Sequence, residues 1–265
     1  MSSSSASEAH IPEALVPEAF ATEVLAATAA LRDQVDDLRF AEPVAMVYNP
    51  LRYAWKLHEQ YVRQWGSTRR RVLLLGMNPG PWGMAQTGVP FGEVAMVRDF
   101  MGLSGAVQRP DPEHPKRPVL GLETTRSEVS GRRLWGYFQE RFGSAEGFFA
   151  EHFVVNYCPL VFMEESARNR TPDKLPAAET APLFAACDAR LRRLVDLYQP
   201  QWVVGVGGFA RKKLDALYGK KAPKGGGHRP ARIGTVLHPS PASPAANRGW
   251  AEAAEKQMVA QGIWE

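Results

Sequence analysis

Residues 76–92 constrain this chain more than any other stretch. They read Gly-Met-Asn-Pro-Gly-Pro-Trp-Gly-Met-Ala-Gln-Thr-Gly-Val-Pro-Phe-Gly, five glycines and three prolines in seventeen residues, directly after the apolar run Val72-Leu73-Leu74-Leu75. The run reads as a buried strand, and the glycines and prolines after it can continue neither a strand nor a helix interior. Glycines let a backbone come close to a ligand, and prolines hold a loop in one shape. The few polar side chains among them are Asn78, Gln86 and Thr87. Two readings are open: an ordinary structured turn, or a rigid pocket wall that presents Asn78 and backbone amides to a flat ligand.

The same grammar recurs along the chain. Strands are expected at 72–75, 153–155, 202–206 and 233–237. Helices are expected over 20–38, 51–65, 93–101, 131–142 and 182–198, through Arg211, Lys212 and Lys213, and over 250–261. Residues 104–130 form a long irregular segment between them. Alternation of strands and helices gives the α/β class, with a mainly parallel central sheet of about four strands. Residues 1–42 read as an acidic N-terminal extension, Ser/Ala-rich and disordered to about residue 12, then helical. Residues 43–265 read as one α/β domain.

Charge divides along the same line. The chain carries +4, but residues 1–42 hold eight acids against Arg32 and Arg39, a balance of −6, so the body carries +10. A positive body suits a polyanionic partner. No apolar run is long enough for a membrane span and no signal peptide starts the chain. The two cysteines, Cys158 and Cys187, are too few for a four-thiolate centre and read as reduced core residues in a cytoplasm-like compartment.

Ligands of an open parallel sheet bind beyond the carboxyl ends of its strands. Asn78 follows the first expected strand, Asn156 the second and His238 the fourth, so a shared sheet edge would let them converge. Taken singly, each has an ordinary reading: a turn or capping Asn, a hydrogen-bonded surface His. The segment Gly205-Val206-Gly207-Gly208-Phe209-Ala210 offers a competing dinucleotide fingerprint between strand and helix. Against it, no acid occurs between Asp215 and Glu252, where such a site needs one for the ribose. Small residues there also suit close helix–strand packing. Zincin, Gly-x-Ser-x-Gly and Walker spacings are absent from the sequence. Amides, one imidazole and water must therefore carry any chemistry.

At these residues the sequence resembles the single-strand-selective monofunctional uracil-DNA glycosylases of the uracil-DNA glycosylase superfamily. The likeness rests on Gly-Met-Asn-Pro-Gly-Pro at 76–81, Met84 to Val94, Asn156-Tyr-Cys-Pro-Leu160, His238-Pro-Ser-Pro241 and Asn247-Arg-Gly-Trp250. Glu113 to Leu122 and Ser127-Glu-Val-Ser-Gly131 add lesser matches. It implies a three-layer α/β/α fold and hydrolysis of the bond between uracil, and 5-hydroxymethyluracil, and deoxyribose in DNA. It implies no metal or organic cofactor, a monomer without membrane attachment, and a cytoplasmic location, at the nucleoid in a bacterium or in the nucleus of a eukaryote. A non-catalytic uracil- or nucleic-acid-binding module on the same fold is the alternative.

The resemblance also implies roles. Phe91 stacks on the flipped base, and Asn156 donates to O4 and accepts from N3–H. Backbone groups near Met77 hold a base carbonyl, while Gly80 and Met84 lie beside C5, with Gly83 in the same wall. His238 donates to O2 as the glycosidic bond breaks, and Asn78 positions the attacking water. Two segments meet single-stranded and double-stranded DNA. One carries Arg168, Asn169, Arg170 and Thr171. The other, a wedge for the vacated stack, carries Ser240, Pro241, Ala242, Ser243, Asn247 and Arg248. Vertebrate relatives place an Arg where this chain has Ala242, which puts activity on double strands in doubt. No Lys occurs in the three pocket motifs, in keeping with a water nucleophile and no lyase step.

Overall fold

The computed structural model describes residues 15–220, 227–230 and 232–265. The disordered start expected before residue 13 and most of the Gly/Lys-rich turn around residue 224 lie outside them. The chain opens with α1 (Pro17–Asp36), β1 (Met46–Tyr48), α2 (Pro50–Tyr53), α3 (Trp55–Trp65), β2 (Val72–Gly76) and the single turn α4 (Met84–Thr87). After the long irregular segment come α5 (Val129–Phe142), α6 (Ala145–Phe149), β3 (His152–Asn156), β4 (Val161–Met163), β5 (Asn169–Arg170) and α7 (Ala177–Tyr198). The chain closes with β6 (Trp202–Val206), α8 (Gly208–Tyr218), β7 (Arg232–Val236), α9 (Pro244–Asn247) and α10 (Trp250–Ala260).

Four strands form one wholly parallel sheet in the order β3-β2-β6-β7. Every residue of β2, β3 and β6 is buried. Side chains alternate between the faces of a strand, so burial at every position requires helices on both faces. The expected three-layer α/β/α class is what the chain adopts. From β2 the chain moves outward to β3, then returns past β2 to β6 and β7. The connections leaving β2 and β6 thus diverge, and an open α/β sheet takes its ligand at such a crevice. Register does the rest: Gly76 pairs with Asn156 and Val206 with Val236. The loops after β2, β3 and β7 all leave the same sheet edge.

Several elements depart from sequence expectation. The helix over 51–65 is broken at Ala54, which leaves helical angles at φ −108°, ψ 22°. The helix over 93–101 starts as α-helix at 94–95 and widens into a π turn, Met96–Phe100. The helix expected from 182 begins five residues earlier, at Ala177, with Pro182 inside it. Pro182 is the sixth residue of that helix, past the free N–H groups of its first turn, so it withholds the donor that the Ala178 carbonyl would otherwise take. A second, antiparallel sheet, β1-β4-β5, has no counterpart in the sequence expectation. Its strands of three, three and two residues are too short to display a period of two.

The helix α1 lies in the common core. It buries Phe20, Val24, Leu31 and Val35 against α3 and α7. The buried Arg190 of α7 ties it further, with Nε donating to Thr28 Oγ1 at 3.3 Å. Nη1 of the same guanidinium donates at 3.0 Å to the carbonyl of Asn156. One side chain therefore holds α1 and the end of β3 together.

Candidate active site

A cavity of about 530 Å³ opens at this sheet edge, and the loops after β2, β3 and β7 each supply part of its wall. Met77, Asn78 and Gly80 come from the first, Asn156 from the second, His238 from the third. The ladder between β2 and β3 runs on past both strands: Tyr157 N–H donates to Gly76 O and Cys158 N–H to Met77 O, at 3.0 and 2.9 Å. These bonds hold the two asparagine loops side by side. The Met77 carbonyl is thereby occupied, so the backbone group this residue can offer a ligand is its N–H.

Asn156 is the most committed polar group in the wall. It is only 5% exposed, and its Oδ1 is buried without a hydrogen-bond partner. Its Nδ2 donates to Met84 Sδ at 3.2 Å. A buried amide oxygen without a donor costs about 1–3 kcal/mol, which a ligand N–H would recover. A weak sulfur acceptor leaves the amide NH2 similarly under-used. Such a group is built to pair with something that supplies one donor and one acceptor side by side.

Phe91 closes the cavity from beneath. Its backbone is left-handed, φ +53°, a conformation that bulky residues rarely adopt. Trp135 Nε1 donates to Pro90 O at 3.2 Å, and the turn is closed by Glu93 N–H donating to Phe91 O at 2.7 Å. The ring lies so close to Gly76 that a Cβ there would sit 2.6 Å from Cε2. Backbone strain of this kind, about 1–3 kcal/mol, persists where surrounding contacts impose it, typically at ligand sites.

His238 stands 5.8 Å from Phe91 between ring centroids, tilted by 45°. Ser240 N–H donates to its Nδ1 at 3.1 Å, so the ring proton sits on Nε2. Burial pushes its pKa down to about 4. At neutral pH the imidazole is an uncharged donor. Close approach is secured by Gly207, whose φ is +88° and where a Cβ would lie 2.9 Å from that of His238. At Gly205 a Cβ would meet the Arg211 backbone N at 2.5 Å. The glycines that mimic a dinucleotide fingerprint thus serve packing. Asn78 is fixed from the other side, its Nδ2 donating to Leu160 O at 3.1 Å. That bond leaves its Oδ1 as the atom able to accept from a water.

The two flanking segments also reach the rim. Asn169 and Thr171 line the cavity, with Asn169 Oδ1 buried and unpartnered. Arg168 is exposed, while Arg170 is held by Glu164 at 2.7 Å. Across the cavity stand Ser240, Pro241, Ala242 and Ser243. Asn247 braces this loop instead of projecting from it: its Nδ2 donates to Pro241 O and its Oδ1 accepts from Arg133. Arg133 also reaches the carbonyls of Pro239 and Ser240. Arg248 is exposed.

Three residues of the site carry no role legible in the sequence: Arg133, Arg190 and Glu128, which lines the cavity from the N-cap of α5. Glu128 sits in the Ser127-Glu-Val-Ser-Gly131 motif, which marks its position but not its task.

Comparison with known proteins gives the family. The family model described as the Uracil DNA glycosylase superfamily matches residues 64–260. The single-strand selective monofunctional uracil DNA glycosylase of Bos taurus is 48% identical over 233 residues, 88% of this chain and 84% of its own length. Its Rattus norvegicus counterpart is 47% identical, over 88% of this chain and 82% of its own. The crystal structure of wild-type Pedobacter heparinus SMUG2 shares the fold, with a TM-score of 0.64 at 19% identity over 92% of this chain and 97% of that one. Sequence identity across most of the chain, and motif loops gathered at one sheet edge, lead to one assignment: the chain belongs to the uracil DNA glycosylase superfamily, among its single-strand selective monofunctional members.

Proposed function

We propose that this protein hydrolyses the N-glycosidic bond of uracil in DNA, leaving an abasic site and no strand break. The observation that carries the reading is Asn156, whose Oδ1 is buried without a partner in a cavity shared with His238 and Phe91. Uracil offers O4 as an acceptor and N3–H as a donor, the complement of that amide. Cytosine offers the reverse and would leave both groups unpaired, at about 1–3 kcal/mol each. The base reaches the cavity only by leaving the stack, which costs least in single strands.

His238 Nε2–H donates to O2 of the base. As the C1′–N1 bond breaks, its electron pair leaves with the base and the charge spreads to O2. A preorganised donor at that atom stabilises the departing anion. Asn78 Oδ1 accepts a hydrogen from the water whose oxygen then bonds to C1′. An amide cannot keep the proton, so bond breaking runs ahead of attack and the water's proton passes to solvent or to the departing base. Arg168 and Arg248 contact phosphates, and residues 240–243 enter the stack. The protein acts as a monomer, on single strands in preference to double strands because Ala242 fills little of the gap.

The test is release of uracil from a single-stranded oligonucleotide in the presence of a metal chelator, with abasic sites developed by alkali. The wild type releases uracil, and His238→Leu loses at least about a hundredfold, the usual cost of one such donor. No release by folded wild type, or an unimpaired His238→Leu, would contradict the mechanism. Salt-sensitive binding without release would favour a non-catalytic module.

A further inference from the structure

Gln86 is one of the few polar side chains of the β2 loop, and base recognition and cleavage leave it without a task. It is 1% exposed and its amide is fully engaged. Nε2 donates to the carbonyls of Pro81 and Pro118 at 3.0 Å each, and Oε1 accepts from Leu120 N–H at 2.8 Å. Tyr48 ties the same stretch from below, its hydroxyl donating to Arg117 O at 3.0 Å. The irregular segment around residue 117 is thereby fastened to the β2 loop beside Trp82.

Two guanidiniums lie against the Trp82 indole, Arg117 Cζ at 5.3 Å and Arg126 Cζ at 4.7 Å from the ring centroid. Among the described residues neither forms an ion pair with a carboxylate. Arg117 Nη1 donates to the carbonyl of its own neighbour Lys116, and its Nε is buried without a partner. Arg126 is exposed. An indole attracts a cation but supplies no oxygen acceptor, so both guanidinium forks keep donors to spare. Their place in the fold says what could use them. Pro81 and Glu128 line the cavity; Trp82 follows the first directly, and Arg126 precedes the second by two residues. This stretch of the rim is separate in the chain from residues 168–171 and 240–248.

We propose that Trp82, Arg117 and Arg126 form a phosphate-binding platform for the DNA strand next to the flipped nucleotide, an inference that rests on the uracil-glycosylase reading. The indole carries the guanidiniums, Gln86 and Tyr48 hold the backbone beneath them, and the phosphodiester supplies the missing anion.

The experiment measures, by fluorescence anisotropy, binding of a single-stranded oligonucleotide whose uracil nucleotide carries 2′-fluorine and so resists cleavage. Each phosphate near the uracil is replaced in turn by an uncharged methylphosphonate, and every strand is tested on wild type, Arg126→Ala and Trp82→Leu. Wild type should lose at least about fivefold in affinity when a phosphate seated on the platform is neutralised. Arg126→Ala should lose as much with the unmodified strand, and no more than about twofold further when that same phosphate is neutralised. Its slope of log affinity against log salt should flatten by about 0.7 for each contact given up. Trp82→Leu keeps both cations without the surface that carries them, and should weaken binding of the unmodified strand at least about threefold. Wild-type affinity in Arg126→Ala overturns the proposal, as do losses in that variant that add in full to those of every methylphosphonate. Wild-type affinity in Trp82→Leu overturns it as well. If Trp82→Leu fails to fold, the exposed Arg126 carries the test alone. Failure of the wild type to release uracil from a cleavable strand would count against the glycosylase reading, and the binding measurement would still decide this one.

Discussion

The Ser240 N–H that donates to Nδ1 of His238, together with burial that lowers the ring to about 4, makes this histidine a neutral donor well below its ordinary titration range. His58 and His152 are lowered to about 4 by the same cause. In each case the folded pKa lies below the unfolded value of about 6.5, so the unfolded chain binds more protons between those limits. The stability these groups confer is complete above about pH 6.5 and is lost as pH falls toward 4. For His58, 3% exposed, the loss is on the order of 3 kcal/mol. Denaturant midpoints should fall steeply from pH 6.5 to 4.5, and a flat profile would contradict the burial of all three. Activity should follow the same logic: the limb set by His238 lies near pH 4, and a rate that rose on acidification through 6.5 would indicate an imidazolium donor instead.

Among the elements, Arg190 on α7 makes the activity of a β3 residue depend on α1. Desolvation lowers its guanidinium to about 10, so it remains charged at neutral pH and donates to both Asn156 O and Thr28 Oγ1. Arg190→Met keeps an unbranched apolar stem and removes the donors. It should cost about 1–3 kcal/mol of stability, because a buried carbonyl is left unpaired. Release of uracil should also slow through a misplaced Asn156, seen as a higher KM alongside lower kcat. Unchanged kinetics in a destabilised variant would confine Arg190 to folding. The strands β2, β3 and β6 were legible as apolar runs because they are buried on both faces, and Gly/Pro-rich loops marked their ends. The strands β1, β4 and β5 were not, because two or three residues carry no period, and it is β5 that brings Asn169 to the cavity. Nor could sequence show that Glu128 and Gly80, forty-eight positions apart, share one wall. Spacing reports contacts within an element and is silent on contacts between loops.

At the scale of the molecule, residues 43–265 carry +10 against −6 for the first segment, a balance that suits a DNA partner. Among the described residues no helix is long and apolar enough to cross a membrane. The loop over residues 240–243, proposed as the wedge, is braced by Arg133 and Asn247, yet it presents the small, exposed Ala242. Ala242→Arg should leave release from single strands within about threefold and raise release from double strands by about tenfold, since a long side chain can fill the vacated stack and meet a phosphate. An equal effect on both substrates would remove residues 240–243 from the wedge role.

The function proposed for the cavity turns on Asn156 reading the edge of a flipped base. The decisive measurement is single-turnover release from matched single strands carrying uracil or cytosine. Wild type should release uracil with no detectable cytosine, and Asn156→Asp should gain cytosine release, because a protonated acid at this buried site donates to cytosine N3 while accepting from its amino group. Uracil release that survives in Asn156→Asp with cytosine still excluded would contradict base-edge readout by this residue.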